Sequence, residues 1–294
     1  MINFMLFVFG TLFGSFLNVL SLRYKEDGRV FDLPKISGRS HCMNCGHQIS
    51  WIDLIPIFSF LFLLGKCRYC KNEISFQYPI VEIISGLIFV FVPKLVSMVY
   101  EFRFFSGPMP VAFYALCLIY ILFSLILVFI SLVDLRLQII PDSSNVLIFI
   151  LGLVLFFIKY KYSFFSFYQY SFLGHYASLF GFRDSLLISS LLGVVFGIVL
   201  FGGIYFLSRG RGMGFGDVKL SIALGIFLGW PDIILALLGS FIIGSVWSII
   251  LMVGKRAGMK TLLPFGPFIV LSTVIIMFFG VNILNFYFSL FPLN

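Results

Sequence analysis

The sequence predicts an all-α polytopic membrane protein of about eight transmembrane helices, with a small cytosolic zinc-knuckle-like domain between the first and second. Three observations lead there. Hydrophobic residues make up 61% of the 294 residues and charged residues only 11%, whereas a soluble domain carries about 25% charged residues. Several apolar runs reach the ~20 residues that a helix needs to cross a bilayer. Two Cys-x-x-Cys pairs stand in the longest segment between such runs. This composition excludes a soluble enzyme, a disordered chain and a secreted disulfide miniprotein. The net charge of +8 is therefore read as membrane topology, in which Lys and Arg collect in cytoplasmic loops, and not as a nucleic-acid surface.

The apolar spans are Ile2–Leu22, Ile80–Val99 (interrupted by Pro93 and Lys94), Val111–Val133, a shorter Asn145–Ile158, Ser185–Leu207, a short Val218–Leu228, Ile233–Val253 and Phe265–Phe288. Backbone groups in hydrocarbon must be satisfied within the segment, and no alternating β-barrel pattern is present, so the spans are helices. Met1-Ile2-Asn3 carries no basic side chain, which argues against a cleavable signal peptide. With eight spans and the N-terminus outside, loops 23–78, 134–144, 208–219 and 254–264 hold fifteen basic residues, against five in the outer loops. That asymmetry sets the orientation. The outer segment 159–184, rich in Phe, Tyr and Ser, reads as interfacial.

Cys42 and Cys45 are separated from Cys67 and Cys70 by 21 residues, slightly more than the commonest spacing for two such pairs. Four thiolates so arranged close a tetrahedral Zn²⁺ site, each pair offered by a tight turn. Gly46 and Asn72 follow the pairs, where a left-handed residue is needed. The competing reading, two disulfides, conflicts with a reducing cytosol. A Cys₄ site has no open position, so its zinc is structural. His41 and His47 are spare donors, and Cys117 reads as packing.

Acidic residues at membrane depth are costly and mark function or a partner. Asp134 ends the third span, and Asp217 opens the sixth segment in Gly214-Phe215-Gly216-Asp217. Both fall at cytoplasmic helix ends. Two neighbouring carboxylates share a proton, so one activates water while the other protonates a carbonyl. The alternatives are that Asp217 caps its helix and that Asp134 pairs with Arg136 or Lys219. Asp142, after Pro141, reads as a helix cap. Glu82, near the start of the second span, is either a proton acceptor or a partner for Arg23. Pro264-Phe265-Gly266-Pro267-Phe268 either reshapes a helix beside the cavity or simply starts the last span. Ser15 and Asn18 line the cavity or bond neighbouring helices.

Taken together these residues resemble a known family, the bacterial type IV prepilin peptidases, or leader peptidase/N-methyltransferases. The likeness runs through Gly14-Ser15-Phe16-Leu17-Asn18-Val19 and Arg23, the two cysteine pairs, Asp53-Leu54-Ile55-Pro56, Tyr78-Pro79-x-x-Glu82, Asp134 to Pro141-Asp142, Gly214-x-Gly216-Asp217 and Pro264-Phe265-Gly266-Pro267-Phe268. Met43 and Leu64 depart from the family's usual proline and arginine.

The resemblance implies a membrane-embedded aspartyl endopeptidase that removes the leader of prepilins or pseudopilins after a glycine. It also implies N-methylation of the new terminus with S-adenosylmethionine. Asp134 and Asp217 would be the catalytic pair, and Cys42, Cys45, Cys67 and Cys70 the tetracysteine region. Residues 1–100 would be the methyltransferase-associated region and 111–290 the six-span peptidase. Glu82 is the candidate base for methyl transfer, and no glycine-rich nucleotide loop marks a cofactor site. Glu26, Asp27, Asp32, Asp53 and Glu73 would attract the basic leader. The expected location is the bacterial inner membrane, with the active site facing the cytoplasm and no nucleic-acid partner. The alternatives are a peptidase without methyl transfer, a non-catalytic scaffold of a pilus or secretion assembly, and a metal transporter. The transporter reading is disfavoured because the acids cluster at helix ends.

Overall fold

The computed structural model describes residues 1–25, 38–100, 111–161, 171–181, 185–254 and 261–290. These are helical, with no strand among them beyond two isolated antiparallel bridges, His41 with Gln48 and Lys66 with Glu73. In chain order the helices are α1 (Ile2–Arg23), α2 (Phe58–Phe62), α3 (Gln77–Val99), α4 (Val111–Leu137), α5 (Asp142–Lys161), α6 (Leu186–Leu207), α7 (Phe215–Leu228), α8 (Asp232–Val253) and α9 (Gly266–Leu290). All but α2 and α7 are long and apolar enough to cross a membrane, seven in total among the described residues.

The eight spans read from the sequence are all present as helices, several with extended ends, α4 among them, which runs to Leu137 where Val133 was expected. The fourth, expected over Asn145–Ile158, runs over 20 residues from Asp142 to Lys161. Its polar ends belong to the helix because they have partners there. Asp142 takes Lys219 Nζ at 2.8 Å, and Lys159, expected in an outer loop, is buried and interacts with the buried Asp232. The sixth, α7, has 14 residues, about 21 Å at 1.5 Å per residue, short of the ~30 Å hydrocarbon core. Its buried residues, from Asp217 through Leu220, Ser221 and Leu224 to Leu228, lie on all of its faces. It is enclosed by α5, α6 and α8, so protein and not lipid sets its length.

Helix α3 starts at Gln77, three residues before the expected Ile80, and continues through Pro93 to Val99. Pro79 is tolerated because the first turn of a helix has N–H groups without intrahelical partners. Asn18, fully buried, donates to Tyr78 O at 3.3 Å and accepts from Gln77 Nε2 at 3.3 Å. It therefore joins α1 to α3. The two helices touch at Gly14, where a Cβ would lie 2.8 Å from the Glu82 Cα.

The core centres on α4 and α7. The rings of Phe123 and Phe227 stack at 3.7 Å, and Tyr120 meets Phe227 edge-on at 5.4 Å. Cys117 belongs to this cluster, as its packing role requires. At one end of the bundle the last turn of α4 faces the starts of α5, α7 and α9. At the other, Trp230 donates from Nε1 to Phe180 O at 3.1 Å, and Asp232 accepts from Ser171 Oγ at 2.6 Å. Residues Gly174–Phe180 form a 3₁₀ turn there, with the Tyr176 ring stacked on Phe288 at 5.1 Å.

The backbones of α6 and α7 approach each other closely. A Cβ on Gly193 would sit 2.5 Å from Gly225 O, and one on Gly225 would sit 2.6 Å from Gly193 O. A side chain there forces the helices apart, and overpacking of this kind costs about 1–3 kcal/mol or more. Gly225→Val is therefore expected to lower the melting temperature of the detergent-solubilised chain by several degrees, whereas Val195→Ala on the exposed side of α6 leaves it unchanged.

Candidate active site and metal centre

Two polar centres occupy the same end of the bundle. The first is built from Asp134 and Asp217. Asp134 lies three residues before the end of α4 and is 4% exposed; Asp217 is the third residue of α7 and is 8% exposed. They are near enough to interact electrostatically. The Asp134 carboxylate accepts a hydrogen bond at 2.9 Å from the backbone N–H of Gly266, the first residue of α9.

That contact explains the Pro-Phe-Gly-Pro-Phe segment. It both starts the last span and turns a peptide N–H onto an acid 132 residues away. A Cβ on residue 266 would lie 2.6 Å from Asp134 Oδ2, so a side chain there displaces the carboxylate.

Of the competing roles for these acids one is met in part: the Asp217 carboxylate accepts from the N–H of Gly214 at the start of α7, as an acid three residues after a helix cap does. Asp134 pairs with neither Arg136 nor Lys219. Arg136 instead donates to the carbonyls of Leu22 and Tyr24 at 2.5 Å, tying α4 to the end of α1. Lys219 pairs with Asp142, tying α7 to α5. Asp217 is not the cap of α7; that position is Gly214. Gly216 lets α7 start against the α4–α5 connection, since a Cβ there would lie 3.2 Å from Ile140 Cβ. Asp142 is the first residue of α5 and is held by Lys219, which replaces the simple capping role expected for it.

The second centre is the cysteine cluster. The sulfur atoms of Cys42, Cys45, Cys67 and Cys70 all lie within 4.8 Å of one another, with Cys42 and Cys70 at 3.9 Å. A tetrahedral ion with bonds of ~2.3 Å sets its sulfurs about 3.8 Å apart, so the tetrad fits zinc. The two turns are built alike. Cys42 N–H donates to His47 O and Gly46 N–H to Cys42 O, each at 2.9 Å; Cys67 N–H donates to Asn72 O at 2.8 Å and Lys71 N–H to Cys67 O at 3.0 Å.

The left-handed residues are Gly46 (φ +70°) and Lys71 (φ +59°). Asn72, expected in that role, is one position too late, because each turn bends directly after its second cysteine. Backbone N–H groups favour the thiolate at Cys42 and Cys70, while desolvation and the neighbouring thiols push Cys45 up to about 11. The N–H of Asn72 pulls the Cys70 thiol down to about 6, and those of Cys45 and Asn44 lower Cys42. The tetrad contains neither His41 nor His47, and the His47 ring packs on Tyr69 at 3.6 Å.

Glu82, 5% exposed, sits between this domain and the membrane helices. It accepts from Ile57 N–H at 2.8 Å and from the Ser15 hydroxyl. Arg23 is directed elsewhere, to the carbonyls of Gly38 and Arg39. Asp53 is clamped by Arg68, with Nη2 to Oδ1 at 2.6 Å and Nε to Oδ2 at 2.9 Å, and by Ser50 at 3.0 Å. The Arg68 guanidinium holds its carboxyl below the usual range. Asp53 is thus a structural tie and not a free acid for a basic leader. Glu26, Asp27 and Asp32 lie outside the described residues.

Sequence reasoning missed the Gly266 N–H contact and the role of Ile57. It also missed the character of residues 51–65, read as part of the cytosolic loop 23–78 although eleven of the fifteen are large and apolar.

Comparison with known proteins bears on both centres. The Bacterial Peptidase A24 N-terminal domain matches residues 8–95, and the Type IV leader peptidase family matches residues 121–249. The first match contains the cysteine tetrad and Glu82, and the second contains both aspartates. A prepilin leader peptidase/N-methyltransferase of Xanthomonas campestris is 30% identical, over 95% of this chain and 91% of its own length. Proteins of the same name from Stutzerimonas stutzeri and Bacillus subtilis are 29% and 28% identical, over 93% and 96% of this chain and 89% and 96% of theirs. No solved structure matches the chain significantly. A polytopic helical protein with paired buried acids and a tetracysteine domain, alike to these relatives along nearly its whole length, is an enzyme that belongs to the prepilin leader peptidase/N-methyltransferase family.

Proposed function

We propose that the chain is an aspartyl endopeptidase of the bacterial inner membrane, with Asp134 and Asp217 as its acid–base pair. Its substrates are prepilins or pseudopilins, cut after a glycine just before their apolar helix. The supporting observation is that two buried carboxylates from separate helices lie within electrostatic reach at one end of the bundle, each accepting from a backbone N–H.

The pair carries one shared proton, as adjacent carboxylates do. The ionised member takes a proton from a water molecule as its oxygen attacks the scissile carbonyl carbon. The protonated member donates to the carbonyl oxygen. When the tetrahedral adduct collapses, the C–N bond breaks, the leaving amine takes the proton held by the base, and a hydroxyl of the adduct returns its proton to the other carboxylate as the carbonyl re-forms. Water is the nucleophile, so no covalent link to the enzyme forms. The excess of basic residues in the loops at this end supports placing it in the cytoplasm, where the substrate's leader lies.

Residues 111–290 then form the peptidase, and residues 1–100 the region associated with methyl transfer. The donor set and spacing of Cys42, Cys45, Cys67 and Cys70 fit Zn²⁺ in a closed, structural role. It would hold together a domain with little core of its own. In the bifunctional reading S-adenosylmethionine supplies an electrophilic methyl group for the new terminal amine. The described residues contain no glycine-rich strand–helix turn for such a donor, and Glu82 has its carboxylate engaged by Ile57 and Ser15. No step is therefore assigned to a residue there.

Asp134→Asn and Asp217→Asn are each expected to reduce cleavage of a prepilin-type peptide by roughly 10⁴-fold while leaving the chain monodisperse and its melting temperature near that of the parent. Gly266→Ala, which pushes on Asp134, is expected to cost roughly a hundredfold. Retained cleavage in Asp217→Asn contradicts the assignment. For the cysteine site, the chain purified without chelators is expected to carry one zinc ion per four thiolates by elemental analysis, and Cys67→Ser to lose it. A metal-free parent whose four thiols all alkylate readily contradicts a zinc site.

A further inference from the structure

We propose that residues 54–64 form a membrane-inserted dip, seated in the bilayer leaflet at the tetracysteine end and not in open solvent, with Trp51 and the Asp53–Arg68 pair at its headgroup margin. The occupant of its apolar face is the interfacial and upper acyl zone of the same bilayer that the long helices cross.

The segment shows a row of large side chains outward. Trp51 is 76% exposed, Phe58 56%, Leu61 62%, Phe62 84% and Leu64 84%. Soluble surfaces rarely expose so contiguous an apolar patch. The face cannot simply fold inward, because the segment is fixed. The Phe60 ring packs on Phe76 at 5.3 Å, Gly65 N–H donates to Phe60 O at 2.9 Å, and Pro56 is buried.

Depth is set by Glu82. Ile57 N–H meets the carboxylate of the sixth residue of α3, about 8 Å along the helix from its start. At that level Ile80, Ile83 and Ile84 already stand exposed on α3, as lipid-facing residues do. The segment thus continues a surface that belongs to hydrocarbon.

Insertion requires backbone polar groups to find partners within the protein, and around the helical turn many do. The N–H groups of Ile55, Ile57, Phe58, Ser59, Leu61 and Leu63 all have protein partners. Left-handed residues bracket the helical turn α2, Ile57 at φ +64° and Leu64 at φ +51°, and turn the chain in and out again. A β-branched residue at positive φ is strained, and its N–H is the one that reaches Glu82. Trp51 stands at one margin, where indole rings favour the headgroup zone. Lys66 and Lys71 are exposed just beyond the other, suited to anionic headgroups. Glu82 thereby anchors the tetracysteine domain to the membrane surface beside the bundle.

The test is depth-dependent quenching of Trp51 in the full chain, reconstituted in vesicles of phosphatidylcholine and phosphatidylglycerol. The chain has three tryptophans. Subtracting the emission of Trp51→Phe from that of the parent isolates Trp51, and the variant removes an exposed ring that the fold does not need. The expected result is a blue-shifted Trp51 component that loses most of its intensity when the acyl chains are brominated near the headgroup and is unaffected by iodide in the buffer. A Trp51 component quenched by iodide and indifferent to brominated lipid overturns the proposal. Protection from iodide by a prepilin-type peptide would then give the face to the substrate helix, and protection rising with protein-to-lipid ratio would give it to a second copy. Either of these replaces the bilayer as occupant.

Discussion

A single backbone N–H on the side chain of Asp134 is the constraint around which the peptidase half is arranged. Asp134 belongs to α4 and the N–H to Gly266 at the start of α9, 132 residues on. The bond ties the start of α9 to α4, and glycine suits it because a Cβ would push on the carboxylate. The same end is closed by Lys219 on Asp142 and by Arg136 on the carbonyls of α1. These ties hold the end of α4 against the starts of α5, α7 and α9. Asp217 stands beside that closure, where Gly216 lets α7 start close against Ile140. The 14-residue α7 is short for a membrane helix because it is enclosed by other helices, and its core partner Phe227 stacks on Phe123 of α4. Packing in the middle of the bundle and the position of two acids at its end are thus one problem with one solution.

The N-terminal half uses the same device in a different place. Glu82 is a buried acid whose partner is again a backbone N–H, that of Ile57. An acid satisfied by a peptide group needs no cation beside it, which leaves Arg23, Arg68 and Lys219 to other ties. The cysteine tetrad sits outside the bilayer helices and is joined to them through Glu82, through Arg23 on Gly38 and Arg39, and through the Phe60–Phe76 contact. A closed thiolate site of this kind organises a short chain that cannot bury enough apolar area to fold alone. The matched N-terminal and peptidase regions are correspondingly separate along the sequence, at 8–95 and 121–249.

Much of this was legible in the sequence, for identifiable physical reasons. Helix positions followed from hydropathy because lipid imposes length and apolarity directly on the chain. The fourth span was read too short because Asp142 and Lys159 look like loop residues until Lys219 and Asp232, distant in sequence, supply their partners. The cysteine tetrad was legible from spacing, while the left-handed residue was misplaced by one, at Asn72 where the structure has Lys71. The two aspartates stood out as acids at helix ends, and the Pro-Phe-Gly-Pro-Phe segment as a helix start. The link between Gly266 and Asp134 was not legible, since nothing local shows where a backbone N–H points. Residues 51–65 were misread for a simpler reason. Length alone assigned them to the cytosolic loop 23–78, although their own composition is that of a membrane segment too short to span.

The central claim is that Asp134 and Asp217 act as one acid–base unit sharing a proton. The measurement that tests it most directly is the pH dependence of kcat/KM for cleavage of a prepilin-type peptide by the reconstituted enzyme. A shared-proton pair predicts a bell, with one limb where the pair gains its second proton and the other where it loses its last. It also predicts that both limbs disappear with the residual activity of either Asn variant. A rate that shows no acidic limb, or a bell unchanged in Asp134→Asn, contradicts the pair as the catalytic unit.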